Sequence, residues 1–344
     1  MNIDTLLHRK DSQTLEQQRL NDQSQGKRQV YLTRLFPPRV EAAIDERYTV
    51  VRNESGKVLS ADQLAEAAKG FAYLFVSAAQ PVSRSVIEQL GGELEAIATL
   101  SVGFNHIDIE AAREHNVAVF NSPGVLSDAT ADLGLMLILN AARRGHEADT
   151  LVRSSNWKGW SPVQLLGLDL KGKRLGILGM GRIGQEVAKR ARGFGMKIHY
   201  HNRSRLVAEL EGDAIYENTA ASLLAASDIF IICAPSTPEL AGLLNHERIA
   251  LLPPNAIVVN ISRGEMVVDD ALIEALREKR LFAAGLDVYA NEPAVDTRYF
   301  DLPNVFLTPH IGSATVETRD AMGFILLDAL REYESGRTPE NQVC

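Results

Sequence analysis

Arg174-Leu-Gly-Ile-Leu-Gly179-Met-Gly181-Arg-Ile-Gly184-Gln-Glu-Val-Ala-Lys-Arg190 runs from an apolar β-type segment, through three glycines spaced G-x-G-x-x-G, into a helical pattern. Gly179 allows a tight turn, Gly181 lets the backbone approach a pyrophosphate, and Gly184 lets helix and strand pack closely. The phosphates then sit on free N–H groups at the helix N-terminus, so Met180, Arg182 and Ile183 belong to the same cradle. A bare glycine motif is weak evidence. Here both flanking elements are present, and the next strand-like run, Lys197-Ile-His-Tyr-His201, follows at the required distance. The segment reads as a dinucleotide site rather than a plain glycine-rich turn.

Outward from this turn, strand-like runs alternate with helical ones. Downstream, strands are expected at Asp213–Tyr216, Asp228–Cys233, Ala256–Ile261, Ala283–Asp287 and Val305–Leu307. Helices are expected at Arg182–Arg192, Thr219–Ala226, His246–Leu251 and Asp269–Glu278. About six parallel strands opened by the glycine motif make a doubly wound dinucleotide domain. Upstream, Gln29–Thr33, Tyr48–Val51, Phe71–Val76, Glu95–Leu100 and Val117–Phe120 read as strands. Helical patterns near Pro38–Ile44, Ala61–Ala68, Arg84–Leu90 and Ile107–His115 separate them, as a second parallel sheet requires. The fold class is α/β, with two doubly wound parallel-sheet domains. A helix from about Ser127, its N-cap, to Arg144 is apolar nearly all round. It reads as a buried helix and a candidate hinge. Ser313–Gly336 reads as one more helix, leading into the tail Thr338-Pro-Glu-Asn-Gln-Val-Cys344.

The totals agree with two domains in 344 residues. A formal charge of −8 gives no reason to expect nucleic acid or an anionic membrane as partner. Two cysteines, Cys233 and Cys344, exclude a disulfide framework and a multi-cysteine metal site, and no metal is expected. No apolar run reaches the ~18 residues that span a bilayer; the longest, around Leu133–Ala142, is a buried helix. Residues Met1–Arg28 are polar and glutamine-rich, without the apolar core of a secretory signal. They are expected to form a loosely ordered extension, and the cytoplasm is the expected location.

The end of the second strand distinguishes between nicotinamide cofactors. An acidic residue about 20 positions past the glycines would accept hydrogen bonds from the ribose hydroxyls of NAD. This chain instead reads His201-Asn202-Arg203-Ser204-Arg205, with Asn202 18 residues past Gly184. Asn202, Arg203 and Ser204 can donate to the extra phosphate of NADP, which an aspartate would repel. Each charge-assisted hydrogen bond is worth roughly 1.5–3 kcal/mol. NADP(H) is expected to be preferred, with NAD(H) as the alternative.

Three further segments follow strands at their carboxyl ends, where open α/β sheets bind ligands. In Val258-Val-Asn-Ile-Ser262-Arg263-Gly264, the Arg263 fork can hold a carboxylate and a neighbouring carbonyl together. Gly285-Leu-Asp287-Val-Tyr-Ala-Asn-Glu292-Pro293 offers a carboxylate, and Leu307-Thr-Pro309-His310-Ile-Gly312 offers an imidazole. Singly, these are a surface arginine, a turn acid and a capping histidine. Together they read as chemistry: a carboxylate beside an imidazole stabilises the protonated ring, which can donate a proton. Reducing a ketone needs a hydride on carbon, from the cofactor, and a proton on oxygen, from His310 supported by Glu292.

With these residues the chain resembles the D-isomer-specific 2-hydroxyacid dehydrogenases, and most their glyoxylate/hydroxypyruvate reductase branch. The matching segments are Gly179-Met-Gly-Arg-Ile-Gly184, Asn260-Ile-Ser-Arg-Gly264, Gly285-Leu-Asp-Val288 with Glu292-Pro293, and Pro309-His-Ile-Gly-Ser-Ala314. Ser101-Val-Gly-Phe-Asn-His-Ile-Asp108 and Val125-Leu-Ser-Asp-Ala-Thr-Ala-Asp132 match in the first half. The resemblance implies catalytic roles for Arg263, Glu292 and His310, and a substrate carboxylate held by the N–H groups of Val102 and Gly103. It implies that Asp287 faces the nicotinamide end of the cofactor. Ile261, Ser262 and Gly312 are expected along the cofactor with Cys233-Ala234-Pro235, which stands where relatives often carry His-x-Pro. Cys233 is read as a small pocket residue, since no base is spaced to activate it.

The resemblance also implies a Rossmann domain, 127–311, inserted in a flavodoxin-like substrate domain, 29–126 and 312–344, and a homodimer joined through the cofactor domains. Trp157-Lys-Gly-Trp160 resembles the branch's tryptophan pair, with Trp160 reaching a neighbouring subunit's pocket. Ser77, Ala78 and Trp160 are expected to set the side-chain size accepted. The substrate expected is a small 2-oxo acid, glyoxylate or hydroxypyruvate, reduced to the D-2-hydroxy acid. Alternatives are an aromatic 2-oxo acid, a phosphoglycerate-type dehydrogenase and a dinucleotide-sensing scaffold. A formate-type enzyme would pair the histidine with glutamine, and Glu292 argues against it.

Overall fold

The computed structural model describes residues 26–344, so most of the expected loose extension lies outside the described residues. Its last residue is already held: the Arg28 carbonyl accepts the Thr49 N–H at 3.0 Å. The Arg28 guanidinium pairs with Glu95 and stands 5.4 Å from the Tyr73 ring centroid. The chain divides into two compact units, Met1–Val125 with Thr315–Cys344, and Leu126–Ala314.

In the first unit β1 (Gln29–Leu32), β2 (Thr49–Arg52), β3 (Tyr73–Ser77), β4 (Ala96–Leu100) and β5 (Ala118–Phe120) form one sheet. All pairings are parallel, in the order β2-β1-β3-β4-β5, the flavodoxin-like winding. All five residues of β4 are buried. Parallel crossovers put helices on both faces of a sheet, which is why these strands read as nearly unbroken apolar runs. The helix Val316–Glu334, capped by the Thr315 hydroxyl, returns to this unit. A Cβ on Gly323 would stand 2.4 Å from Val40 Cγ2, so only glycine permits its approach to the helix Pro38–Arg47. The tail then pairs with the edge strand: Val343 N–H donates to the Val119 carbonyl at 2.7 Å. That covers an edge that would otherwise expose its backbone groups.

The second unit holds β6 (Arg174–Leu178), β7 (Lys197–His201), β8 (Ile215–Tyr216), β9 (Ile229–Ile232), β10 (Ala256–Asn260), β11 (Leu281–Leu286) and β12 (Val305–Leu307). Their order is β12-β11-β10-β9-β6-β7-β8, all parallel. This is the Rossmann winding, 3-2-1-4-5-6 from β8 to β11, with β12 added parallel to β11 at the far edge. The winding reverses between β6 and β9, and the glycine turn leaves β6 at that point.

The long apolar helix spans Ser127–Ala142 and lies against β11, where a Cβ on Gly285 would stand 2.9 Å from Leu137 Cβ. Leu137 and Ile138 are fully buried, each contributing about 1.5–3 kcal/mol. Ser127 is not its cap. The chain enters the helix through Leu126 in helical conformation (φ −98°, ψ 0°), with no side-chain cap hydrogen bond. A capping side chain needs an extended residue to reach back. The helix also stops short of Arg144, whose left-handed backbone (φ 55°) separates it from a further helix, Gly145–Arg153, that the sequence pattern does not announce. Among the described residues no helix is long and apolar enough to cross a membrane.

Candidate active site

The glycine turn is built as its spacing requires. Gly179 has φ +92°, and a Cβ there would stand 2.4 Å from the Ala234 nitrogen. A Cβ on Gly184 would stand 2.3 Å from the Gly179 carbonyl oxygen, so the helix sits directly on its own turn. Gly181 differs: among the described residues, no atom beyond its own chain neighbours lies within 4 Å of where its Cβ would be. The helix Arg182–Gly193 begins there without a side-chain cap, which leaves its leading N–H groups, including those of Arg182 and Ile183, for an anion. Two crowded glycines and one facing open space fit a pyrophosphate cradle.

The loop after β7 is more constrained than its polar sequence suggests. Asn202 Oδ1 accepts the Met180 N–H at 2.6 Å, tying this loop to the glycine turn, and among the described residues its amide NH2 has no acceptor. Arg205 is engaged elsewhere, donating to both Glu211 carboxylate oxygens at 2.7 and 2.6 Å. Tyr200 O–H donates to the same carboxylate at 2.6 Å. These bonds hold the Glu211 carboxyl at about 2. Arg203 and Ser204 are exposed. Arg203 lends its charge to Glu239, whose carboxyl is held low chiefly by the Thr237 hydroxyl. Across the turn, Cys233 N–H donates to the Leu178 carbonyl at 2.8 Å, and burial pushes its thiol well above the usual thiol range. The Ala234 carbonyl accepts from the buried Ser262 hydroxyl, and Pro235 follows directly.

Arg263 follows β10 through Ile261 and Ser262, both buried. The buried Asn260 shapes this turn, accepting the Ser262 N–H at 3.0 Å and donating to the Arg263 carbonyl at 2.9 Å. A Cβ on Gly264 would stand 1.8 Å from the Tyr289 carbonyl carbon, so the turn is pressed against the segment carrying Glu292. The half-buried Arg263 guanidinium donates to the Ser262 carbonyl at 2.8 Å. Among the described residues it has no carboxylate at ion-pair distance, an arrangement that suits an anionic ligand.

Glu292 and His310 meet: Nδ1 of the ring lies 2.7 Å from Glu292 Oε2, while Oε1 accepts the Tyr289 N–H at 2.9 Å. Burial pushes the Glu292 carboxyl up, but the hydrogen bonds from His310 and Tyr289, with the charges of His310 and Arg263, outweigh it and lower it from 4.5. His310 stands in the left-handed region (φ 53°). That strain is held in place by Asp287. The Asp287 carbonyl accepts the His310 N–H at 2.9 Å. Its buried carboxylate accepts from Thr308 Oγ1 (2.7 Å), Ile311 N (2.8 Å) and Gly312 N (2.9 Å). Burial nevertheless keeps the Asp287 carboxyl raised. The supporting parts played by Tyr289, through its backbone N–H, and Thr308, through its hydroxyl on Asp287, carry no sequence signal of their own.

In the first unit, Val102 is exposed and Gly103 half-buried in the turn after β4. Ser77 ends β3 with a buried hydroxyl that has no partner among the described residues, and Ala78 follows it exposed. In the second unit Trp157 and Trp160 are both exposed, Trp160 at 81%.

Comparison with known proteins places these features. A family profile described as the NAD binding domain of D-isomer specific 2-hydroxyacid dehydrogenases matches residues 135–312. The chain is 42% identical over 322 residues to a glyoxylate reductase of Thermococcus litoralis, covering 92% of this chain and 97% of that one. A solved structure from Polaromonas sp. JS6 66, described as a D-isomer specific 2-hydroxyacid dehydrogenase, NAD-binding, is 54% identical. It superposes with a TM-score of 0.90 and covers 92% of this chain and 100% of its own. An NADPH-dependent glyoxylate/hydroxypyruvate reductase from Sinorhizobium meliloti, solved with NADP and malonate, is 30% identical, with a TM-score of 0.81 and coverage of 93% and 97%.

Proposed function

Because the chain belongs to the D-isomer-specific 2-hydroxyacid dehydrogenase family, in its glyoxylate reductase branch, we propose that it reduces a small 2-oxo acid, glyoxylate or hydroxypyruvate, to the D-2-hydroxy acid with NADPH. The family is one of NAD(P)-dependent enzymes, and the glycine cradle suits a nicotinamide dinucleotide. The observation that carries the reading is the 2.7 Å contact between His310 Nδ1 and Glu292. It leaves the ring's other nitrogen, Nε2, as the one that can deliver a proton.

In this reading Arg263 holds the substrate carboxylate and polarises the neighbouring carbonyl, and the Val102 and Gly103 amides bind the same carboxylate. When bound, reduced nicotinamide supplies hydride to the carbonyl carbon. His310 gives its Nε2 proton to the carbonyl oxygen, and the ionised Glu292 offsets the charge the ring carries before transfer. Asp287 keeps His310 in its strained conformation, facing the nicotinamide end. Asn202, Arg203 and Ser204 take the 2′-phosphate of NADP; Arg205, bound to Glu211, does not.

We also infer a homodimer, supported by the exposed apolar side chains Trp160, Val163 and Leu166. The test is a kcat/KM panel of glyoxylate, hydroxypyruvate, phenylpyruvate and 3-phosphohydroxypyruvate with each nicotinamide. The reading expects the first two, with NADPH, to exceed the others by at least about tenfold. A preference for phenylpyruvate or for the phosphorylated acid would replace the substrate assignment.

A further inference from the structure

The turn after β4 is held from behind by a network whose parts serve one end. Three successive carbonyls in it are occupied. Ser101 O accepts from Ser122 N at 3.0 Å and from Ser122 Oγ at 3.2 Å. Val102 O accepts from Asn121 Nδ2 at 2.8 Å. Gly103 O accepts from Ser101 Oγ at 2.7 Å. Ser101 Oγ is itself fixed by Thr99 Oγ1 at 2.8 Å, which in turn meets His106 Nε2 at 2.9 Å. Asn121, Ser122, Ser101 and Thr99 are all buried, whereas Val102 and Phe104 are exposed.

A trans peptide points its N–H opposite to its C=O. Turning the Ser101, Val102 and Gly103 carbonyls onto interior donors therefore turns the N–H groups of Val102, Gly103 and Phe104 outward. Among the described residues none of these three N–H groups has a hydrogen-bond acceptor. Backbone donors seldom stay unpaired unless water or a ligand takes them, and consecutive N–H groups facing one way form an anion-binding concavity.

We propose that Asn121 and Ser101 are positioning residues for the substrate carboxylate: they aim three amides, those of Val102, Gly103 and Phe104, at it. The C-terminal tail is part of the same device. Asn121 N–H donates to the Asn341 carbonyl at 3.3 Å, and Asn341 Nδ2 donates to the Asn121 carbonyl at 2.6 Å. The end of the chain thus fixes the residue that fixes the turn. This rests on the reading that Val102 and Gly103 hold a carboxylate, and adds a third amide and the groups that orient all three.

Oxalate, a dicarboxylate with no reducible carbonyl, tests this without turnover. Amide resonances are followed during oxalate titration of the NADPH-saturated protein, for the wild type, Asn121→Asp and Ser101→Ala. Asn121→Asp keeps the shape but removes the donor to Val102 O. The proposal expects the Val102, Gly103 and Phe104 amides to move together in the wild type. The oxalate Kd should rise about tenfold or more in Asn121→Asp, and by a smaller factor in Ser101→Ala, with the NADPH Kd unchanged in both. Three amides that do not respond to oxalate would overturn it. So would an unchanged oxalate Kd in both variants, or a parallel loss of NADPH and oxalate binding with loss of folded signal in both. Absence of 2-oxo acid turnover in the wild type, with the amide response intact, would instead sink the proposed reaction and leave the anion site standing.

Discussion

Glu292 makes the sign of a pH effect explicit. Its folded carboxyl lies below its ordinary value of 4.5 because hydrogen bonds from His310 and Tyr289, with nearby positive charge, outweigh burial. A carboxyl depressed on folding stabilises the native state above its unfolded value. That contribution fades as pH falls through the folded value. The stability difference between wild type and Glu292→Gln should therefore persist from neutral pH down to about 4.5 and shrink in stronger acid, as denaturant midpoints across pH would report. Over the same neutral range the variant's kcat should fall about 10²-fold or more, since an uncharged amide no longer supports the protonated ring. The cofactor assignment is also a residue-scale matter. Arg203→Asp should lower the NADPH/NADH ratio of kcat/KM by at least about tenfold, while Arg205→Ala should act mainly on stability. An unchanged ratio in Arg203→Asp would remove the 2′-phosphate argument.

At the scale of elements, the β6–turn–helix unit separates two uses of glycine. A methyl group at Gly184 would meet the Gly179 carbonyl at 2.3 Å, whereas one at Gly181 would meet no atom of the described residues beyond its chain neighbours. Gly184→Ala should therefore cost about 1–3 kcal/mol of stability, as overpacking does, and lower the melting temperature. Gly181→Ala should leave the melting temperature nearly unchanged and weaken NADPH binding, measured by fluorescence titration. A stable Gly181→Ala that binds NADPH normally would place the pyrophosphate elsewhere. This unit was legible in the sequence because strand, turn and helix are contiguous, and each glycine answers a local steric demand. The helix Gly145–Arg153 was not, because its first residue is glycine and the residue before it is a left-handed arginine, neither of which signals a start. The Asn202 bond to Met180 was equally hidden, since polarity alone does not say which atom of an amide side chain is already engaged.

For the whole molecule, the order of motifs gave two parallel sheets, and both are present with the windings expected of the family. What the sequence concealed are pairings between distant positions, such as Asn341 with Asn121 and Glu334 with Tyr48, which fasten the C-terminal segment to the first sheet. No local pattern records them. The second unit leaves Trp160 at 81%, Val163 at 73% and Leu166 at 61% exposed within a few residues of one another. Such neighbouring apolar exposure suits burial by a second copy. Sedimentation should give twice the 37.7 kDa of one chain, shifting toward the monomer when Val163 and Leu166 are both changed to Glu. A monomeric wild type would contradict the assembly.

The imidazole beside Glu292 is the proposed source of the proton. Measured together on His310→Gln, the NADPH dissociation constant and kcat for glyoxylate test it most directly. Affinity should stay within about twofold of wild type while kcat falls about 10²–10⁴-fold, the range general acid catalysis supplies. A variant that binds NADPH normally and still turns over glyoxylate at a comparable rate would show that the proton comes from another group.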